Sequence, residues 1–364
     1  MLFEPLITPA IQLANRTVMA PMTRSRAVDA NTPNALMAEY YGQRATAGLV
    51  IAEGTSPSPN GLGYPRIPGL FNDAQVRAWK AVTEAVHAKG GKIFVQLMHT
   101  GRVTQAANLP AGAEVLGPTA EACPGEMYTD TQGMQPHSVP RAMTATDIAH
   151  VVEEYARSAR LAIEAGFDGV ELHAANGYLI EQFLNANVNQ RTDAYGGSIN
   201  GRNRFALEVA RATVAAIGAH RVGIRLSPYG VFNGMGAFPD VDAQYLTLTQ
   251  ELSQLGLLYI HLLDHSAMGA PPVPAELKLR LRAAFQGLFI LAGGFDRASA
   301  ESALKAGQAD LIAFARPFLA NPDLMERMRT EAALNAVDMA TFYTPGPSGY
   351  TDYPALAQQS SVPA

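Results

Sequence analysis

An eight-stranded parallel α/β barrel, the (β/α)8 or TIM fold, is the architecture this sequence predicts, and three observations lead to it. A short apolar, often β-branched run, then a polar or glycine-rich loop, then an amphipathic segment of helical length recurs eight times along the 364 residues. Helix-stopping glycines in Ala88-Lys-Gly90, Glu164-Ala-Gly166, Gln254-Leu-Gly256 and Lys305-Ala-Gly307 precede the next run by a few residues. No Gly-x-Gly-x-x-Gly follows the first run, which counts against the competing arrangement, an open doubly wound sheet.

The candidate strands are Thr17–Ala20, Leu49–Ala52, Lys92–Gln96, Gly169–Leu172, Val222–Leu226, Leu258–Leu262, Phe289–Ala292 and Leu311–Ala315. Between them the 3.6-residue pattern predicts helices over Asp73–Lys89, Thr146–Ala165, Gly201–Ile217, Asp242–Leu255, Arg297–Ala306 and Asn321–Ala333, several with Asp, Asn or Thr near the start. Two stretches fall outside the repeat. Met1–Arg16 is expected to form a short hairpin capping the barrel bottom, with Pro5 and Pro9 limiting its pairing. Residues 100–145 are dense in Gly, Pro, Thr and Asn and too long for a plain connection, so they read as a rim excursion, either a lid or substrate wall or a simple surface loop. The chain as a whole, 1–364, is expected to be one barrel domain, with Tyr343, Tyr350 and Tyr353 packing the tail back and 358–364 frayed.

Composition narrows the function classes. A hydrophobic share of 48% with 16% charged residues is that of a globular protein with a large core. The net charge of −5 gives no footprint for nucleic acid and no polybasic membrane patch, so any phosphate must be met by individual arginines. Cys123 is the single cysteine, which excludes an internal disulfide framework. With no signal-peptide pattern at the N-terminus and no apolar run of membrane-spanning length, the expected setting is the cytoplasm.

Barrel enzymes keep their chemistry at the C-terminal ends of the strands, so candidate residues are expected there. The fourth runs into His173-Ala-Ala-Asn176-Gly-Tyr178, where two donors three residues apart can reach one oxygen and a tyrosine supplies a proton from another side. A histidine at a strand end is by itself more often a satisfied core or surface residue. The other ends contribute Thr23, Gln96 and Arg225, hydrogen-bonding groups without metal-ligand spacing, so no metal is expected. After the seventh and eighth strands, Gly293-Gly294 and Ala315-Arg316 offer backbone N–H groups and a guanidinium to a phosphate; a tight turn and a surface salt bridge are the alternative. Gln96 suits a pyrimidine edge, and a buried Arg225 calls for an anion such as a reduced flavin.

The chain resembles the old yellow enzyme family, the FMN-dependent ene-reductases, in its classical bacterial branch of xenobiotic and nitrate-ester reductases. The likeness runs over essentially its full length. It rests on Ala20-Pro-Met-Thr23-Arg24, Gln96-Leu-Met-His-Thr-Gly-Arg102, Gly166 through Tyr178, Asn189-Gln-Arg-Thr-Asp-Ala-Tyr-Gly-Gly-Ser198 and Gly349-Tyr350-Thr-Asp-Tyr353-Pro. The resemblance implies that Pro21, Met22, Thr23, Gly54 and Gln96 bound the isoalloxazine, with Arg225 at its N1/O2 edge and Ala292, Gly293, Gly294, Ala315 and Arg316 at the phosphate. It further implies that His173 and Asn176 hold a substrate oxygen, that Tyr178 donates a proton, and that Tyr64, Met98 and Tyr350 form substrate walls. Met98 stands where many relatives have tryptophan, Ala315 where glycine is common, and Thr23 where the thermophilic-like branch has cysteine.

The implied reaction carries hydride from NADPH or NADH through tightly but non-covalently bound FMN to the β-carbon of an activated alkene, an enone or nitroalkene; nitrate esters and nitroaromatics are further acceptors. The expected partner is thus a small electron-poor molecule, with no nucleic acid or membrane, and the oligomeric state is open between monomer and dimer. Two rivals are a flavin-free aldolase or isomerase, which would need a lysine in the mouth that the strand ends lack, and a non-catalytic flavin binder, for which Tyr178 would be superfluous.

Overall fold

A computed structural model describes residues 1–356. Eight parallel strands close into a barrel: β1 (Thr17–Met19), β2 (Leu49–Thr55), β3 (Ile93–Leu97), β4 (Gly169–Ala174), β5 (Val222–Leu226), β6 (Tyr259–Leu263), β7 (Leu288–Ala292) and β8 (Leu311–Phe314). Each pairs with its sequence neighbours, and β8 returns to β1 with Ala313 opposite Val18. These strands read as continuous apolar runs because they are covered on both faces, by side chains inside the barrel and by helices outside.

The helices wrap the barrel in chain order. The first long one, α1 (Asp73–His87), starts where the Asn72 side chain accepts from the Gln75 N–H and buries Val76, Trp79, Val82 and Val86. Thr144 and Asp147 form a reciprocal cap that starts α2 (Ala145–Glu164) one residue before the expected Thr146. Next come α3 (Ile199–Ile217), α4 (Val241–Gln254) and α5 (Arg297–Lys305), close to their expected bounds. The helix expected over Asn321–Ala333 is shorter, Leu324–Thr330, because Glu331 turns to φ +57 and ends it. Helices at Ala35–Gln43 and Ala275–Ala284 were missing from the periodicity; both have weakly amphipathic sequences.

Both additions pack against the barrel. Leu6–Ile7 and Gln12–Leu13 form an antiparallel hairpin, and Leu6 and Leu13 join Leu49, Phe94 and Tyr259 in a cluster that closes the bottom. In the excursion after β3, Glu126–Thr129 pairs with Gly133–Pro136, and Met127 packs with Val103, Cys123, Tyr64 and Tyr178. The C-terminal segment is strapped down by two buried arginines. Arg26 donates to the carbonyls of Thr341, Phe342, Gly346 and Ser348, and Arg24 to those of Phe342 and Gly349. The frayed tail expected for 358–364 lies outside the described residues. No helix among the described residues is long and apolar enough to cross a membrane.

Candidate active site

At the C-terminal mouth of the barrel lies a cavity of about 760 Å3. The loop after β1 places Pro21 and Thr23 in it, β3 and its end place Gln96 and Met98, and β5 places Arg225. His173, Asn176 and Tyr178 enter together from the end of β4, and Tyr64 faces them from the loop after β2. These nine residues come from five strand ends, which is how a parallel barrel converges distant sequence on one volume.

The β4 end is built to aim donors. His173 sits in register with Arg225 on the neighbouring strand. Its Nδ1 accepts from the Ala175 N–H at 3.3 Å, so the proton resides on Nε2. Burial, with the Arg225 charge behind it, holds the imidazole well below its ordinary pKa and therefore neutral. Asn176 occupies the left-handed region at φ +60, which asparagine tolerates better than most residues. Ser227 Oγ accepts its N–H at 2.9 Å, and Asn233 donates to its carbonyl at 2.7 Å. Glu181 Oε2 takes the next N–H, from Gly177. Tyr178 then begins a one-and-a-half-turn helix; its ring meets His173 edge-on at 4.7 Å, and its hydroxyl lies 3.1 Å from that of Tyr64. Burial pushes the Tyr178 phenol up to about 12, against the opposing bond to Tyr64, so it stays protonated at neutral pH.

Beneath the cavity Gln96 donates to Glu171 at 2.8 Å, and His261 lies 2.8 Å from the other carboxylate oxygen. Burial pushes Glu171 up, yet His261, Arg225 and the Gln96 bond outweigh it and hold the carboxyl below its usual range. The counter-charge that a buried Arg225 requires is therefore already supplied in part by the protein. Arg225 Nε nevertheless remains buried without a hydrogen-bond partner among the described residues. Gly54 lies within the irregularity in β2 between Ala52 and Thr55, and a Cβ there would stand 2.6 Å from Met98 Sδ. The missing side chain lets Met98 lie against the strand and pack toward Tyr64 and Tyr178.

Away from the cavity, Ala292 and Ala313 are register partners, so Gly293-Gly294 and Ala315-Arg316 lie on adjacent strand ends. Gly293 has φ +134, and a Cβ there would fall 2.2 Å from the Asp264 carbonyl; only glycine admits this turn. Arg316 is exposed and has no carboxylate partner among the described residues. Met22 turns its side chain to the core instead of the cavity.

Tyr350 corrects an expectation. It is fully buried, stacked on Tyr40 at 4.0 Å and covered by Arg24 and Arg26, so it belongs to the anchor of the C-terminal segment and is no substrate wall. Tyr343, seven residues earlier, lines the mouth instead. Both tyrosines sit in one Gly- and Pro-rich tail, and no periodicity distinguishes the inward one. Glu171, His261, His265 and Glu181 were also missed as supports of the site, because each acts through a partner in a distant part of the chain.

At the barrel mouth His173, Asn176 and Tyr178 thus stand together over a polar floor of Gln96, Glu171 and His261. The chain belongs to the NADH:flavin oxidoreductase / NADH oxidase family, whose profile matches residues 1–335. It is 42% identical to 12-oxophytodienoate reductase 7 of Oryza sativa subsp. japonica, over 99% of this chain and 96% of that protein. Among solved structures it is similar to morphinone reductase in complex with tetrahydroNAD, at 44% identity and TM-score 0.92 over 98% of this chain and 97% of that one. It is likewise similar to the old yellow enzyme homologue from Zymomonas mobilis, at 39% identity and TM-score 0.93 over 97% and 99% of the two chains. The resemblance to old yellow enzymes is thus established, and the protein is an NAD(P)H-dependent flavin oxidoreductase of ene-reductase type with FMN as cofactor. The residues fit that cofactor: Arg225 Nε, which has no hydrogen-bond partner among the described residues, the Gln96 amide and the Thr23 hydroxyl would meet a polar ring edge, and the glycine turn after β7 would admit a phosphate closely.

Proposed function

We propose that the protein reduces activated alkenes, enones and nitroalkenes, with His173 and Asn176 holding the electron-withdrawing oxygen and Tyr178 protonating the α-carbon. When bound, FMN relays hydride from the nicotinamide to the substrate's β-carbon. One observation carries the reading: the acceptor atoms of both clamp residues are already occupied. His173 Nδ1 accepts from Ala175 and Asn176 Oδ1 lies 2.9 Å from His265 Nε2, which leaves the His173 Nε2–H and the Asn176 amide N–H as donors for the cavity.

Negative charge that moves onto the substrate oxygen as the β-carbon gains hydride is met by two preorganised donors, so the transition state gains more than the ground state. Tyr178 gives its proton to the α-carbon, and the Tyr64 hydroxyl within hydrogen-bond reach shares the charge left on the phenol until solvent restores the proton. The product gains one hydride and one proton. Nitro and nitrate-ester oxygens accept hydrogen bonds from the same pair, which makes such compounds a second acceptor class.

The test is ligand binding. His173→Ala and Asn176→Ala are each expected to weaken 4-hydroxybenzaldehyde binding at least tenfold, read from the flavin absorbance change on titration. Wild-type affinity in both variants would remove the clamp.

A further inference from the structure

We propose that His265 is a positioning residue that sets the polarity of the substrate clamp by fixing the Asn176 amide with its oxygen turned away from the substrate. The inference rests on the reading of Asn176 as a clamp residue. An asparagine amide is pseudo-symmetric: rotated one way it offers N–H to the cavity, rotated the other way it offers a lone pair, which would repel a carbonyl or nitro oxygen. The backbone of Asn176 is pinned at its N–H, at its carbonyl and at the following residue, but none of these contacts touches the side chain. What chooses the rotamer is the partner of Oδ1, and that partner is His265 Nε2 at 2.9 Å.

His265 is itself held so that it donates. It follows β6, is 3% exposed, packs its ring on Phe232 at 4.7 Å, and takes the Met268 and Ala270 N–H groups on its carbonyl. Its Nδ1 is buried without a hydrogen-bond partner among the described residues. A proton placed there would be an orphaned buried donor, whereas an under-satisfied lone pair is better tolerated. The proton therefore resides on Nε2, Nε2 donates to Oδ1, and the Asn176 Nδ2 group faces the cavity. Reversing the tautomer would orphan the Nδ1–H and reverse the amide together.

Two variants of the FMN-loaded enzyme, His265→Leu and His265→Gln, test this, alone and combined with Asn176→Ala, with 4-hydroxybenzaldehyde titration and single-turnover reoxidation by 2-cyclohexen-1-one as readouts. His265→Leu is expected to lose about tenfold in affinity and in reoxidation rate. His265→Gln, which retains an N–H donor, is expected to recover most of both. In the Asn176→Ala background His265→Leu should change neither by more than about twofold. A loss that persists undiminished in that background, or wild-type binding in His265→Leu, overturns the proposal. Wild-type binding in Asn176→Ala alone instead overturns the clamp reading on which it rests. A measurement independent of any substitution at the clamp is the 15N spectrum of histidine-labelled wild-type enzyme, with the His265 signals assigned by their loss in His265→Gln. A protonated Nε2 and bare Nδ1 are expected, and the opposite tautomer refutes the proposal even if His265→Leu fails to fold.

Discussion

Tyr178 and the two tail tyrosines show how much of a side chain's role depends on where its hydroxyl ends. The Tyr178 hydroxyl opens on the cavity beside Tyr64, so Tyr178→Phe is expected to slow alkene-dependent reoxidation about a hundredfold or more while flavin reduction by NAD(P)H stays near wild type. Equal reoxidation rates in stopped-flow traces would remove its role as acid. The Tyr350 hydroxyl is buried with no hydrogen-bond partner among the described residues. Removing such a group is neutral to stabilising, so Tyr350→Phe should hold or raise the melting temperature and leave KM for 2-cyclohexen-1-one unchanged. Tyr343→Ala, which strips an aromatic from the mouth, should shift that KM; if the two variants behaved the other way round, the assignment of the wall would be wrong.

Among the elements, the C-terminal segment illustrates a structure made by side chains and not by backbone pairing. Residues 339 to 349 contain a single short 3-10 turn, and their carbonyls are collected by Arg24 and Arg26 from the loop after β1. Burial, together with the neighbouring Arg24, lowers the Arg26 guanidinium to about 10, still charged at neutral pH. Arg26→Ala strands several half-buried carbonyls at once and is expected to cost about 2 to 4 kcal/mol in urea unfolding. Because this segment brings Met339 and Tyr343 to the cavity mouth, the same variant should raise KM for the alkene. A change within about 0.5 kcal/mol would mean that the straps are replaceable by water.

For the whole molecule, burial of titratable groups at the mouth and inside the barrel makes stability depend on pH. His99, His173, His261 and His265 all have pKa values lowered chiefly by burial from the ordinary 6.5, His99 to about 3 and His265 to about 4. Glu53 and Glu181 are raised by burial, each to about 7. Between pH 4.5 and 6.5 the unfolded chain thus takes up protons on these histidines more readily than the folded chain, while the folded chain holds protons on Glu53 and Glu181 that the unfolded chain has released. The lowered histidines contribute stability that is lost as pH falls below 6.5; the raised carboxyls contribute stability that is lost as pH rises toward 7. In this window the four lowered histidines outnumber the two raised carboxyls, so unfolding free energy should fall on acidification. Urea titrations of the holoenzyme at pH 7, 6 and 5 check the sign, and a flat profile would refute it.

Some of this was legible in the chain and some was not. Strand order and the barrel were readable because a parallel sheet covered on both faces leaves unbroken apolar runs, and helix caps such as Asn72 and Thr144 mark their own boundaries. His173, Asn176 and Tyr178 were readable because one strand end carries all three within six residues. What the tertiary structure alone decided is which distant groups meet them. His265 reaches Asn176 across 89 positions, Glu171 reaches Gln96 across 75 and His261 across 90, and Arg26 reaches Ser348 across 322. A sequence pattern reports whether a residue is buried, since burial imposes a period on its neighbours. It does not report the partner, because the closure of the barrel brings those strand ends together and local periodicity is the same for every partner they could have met.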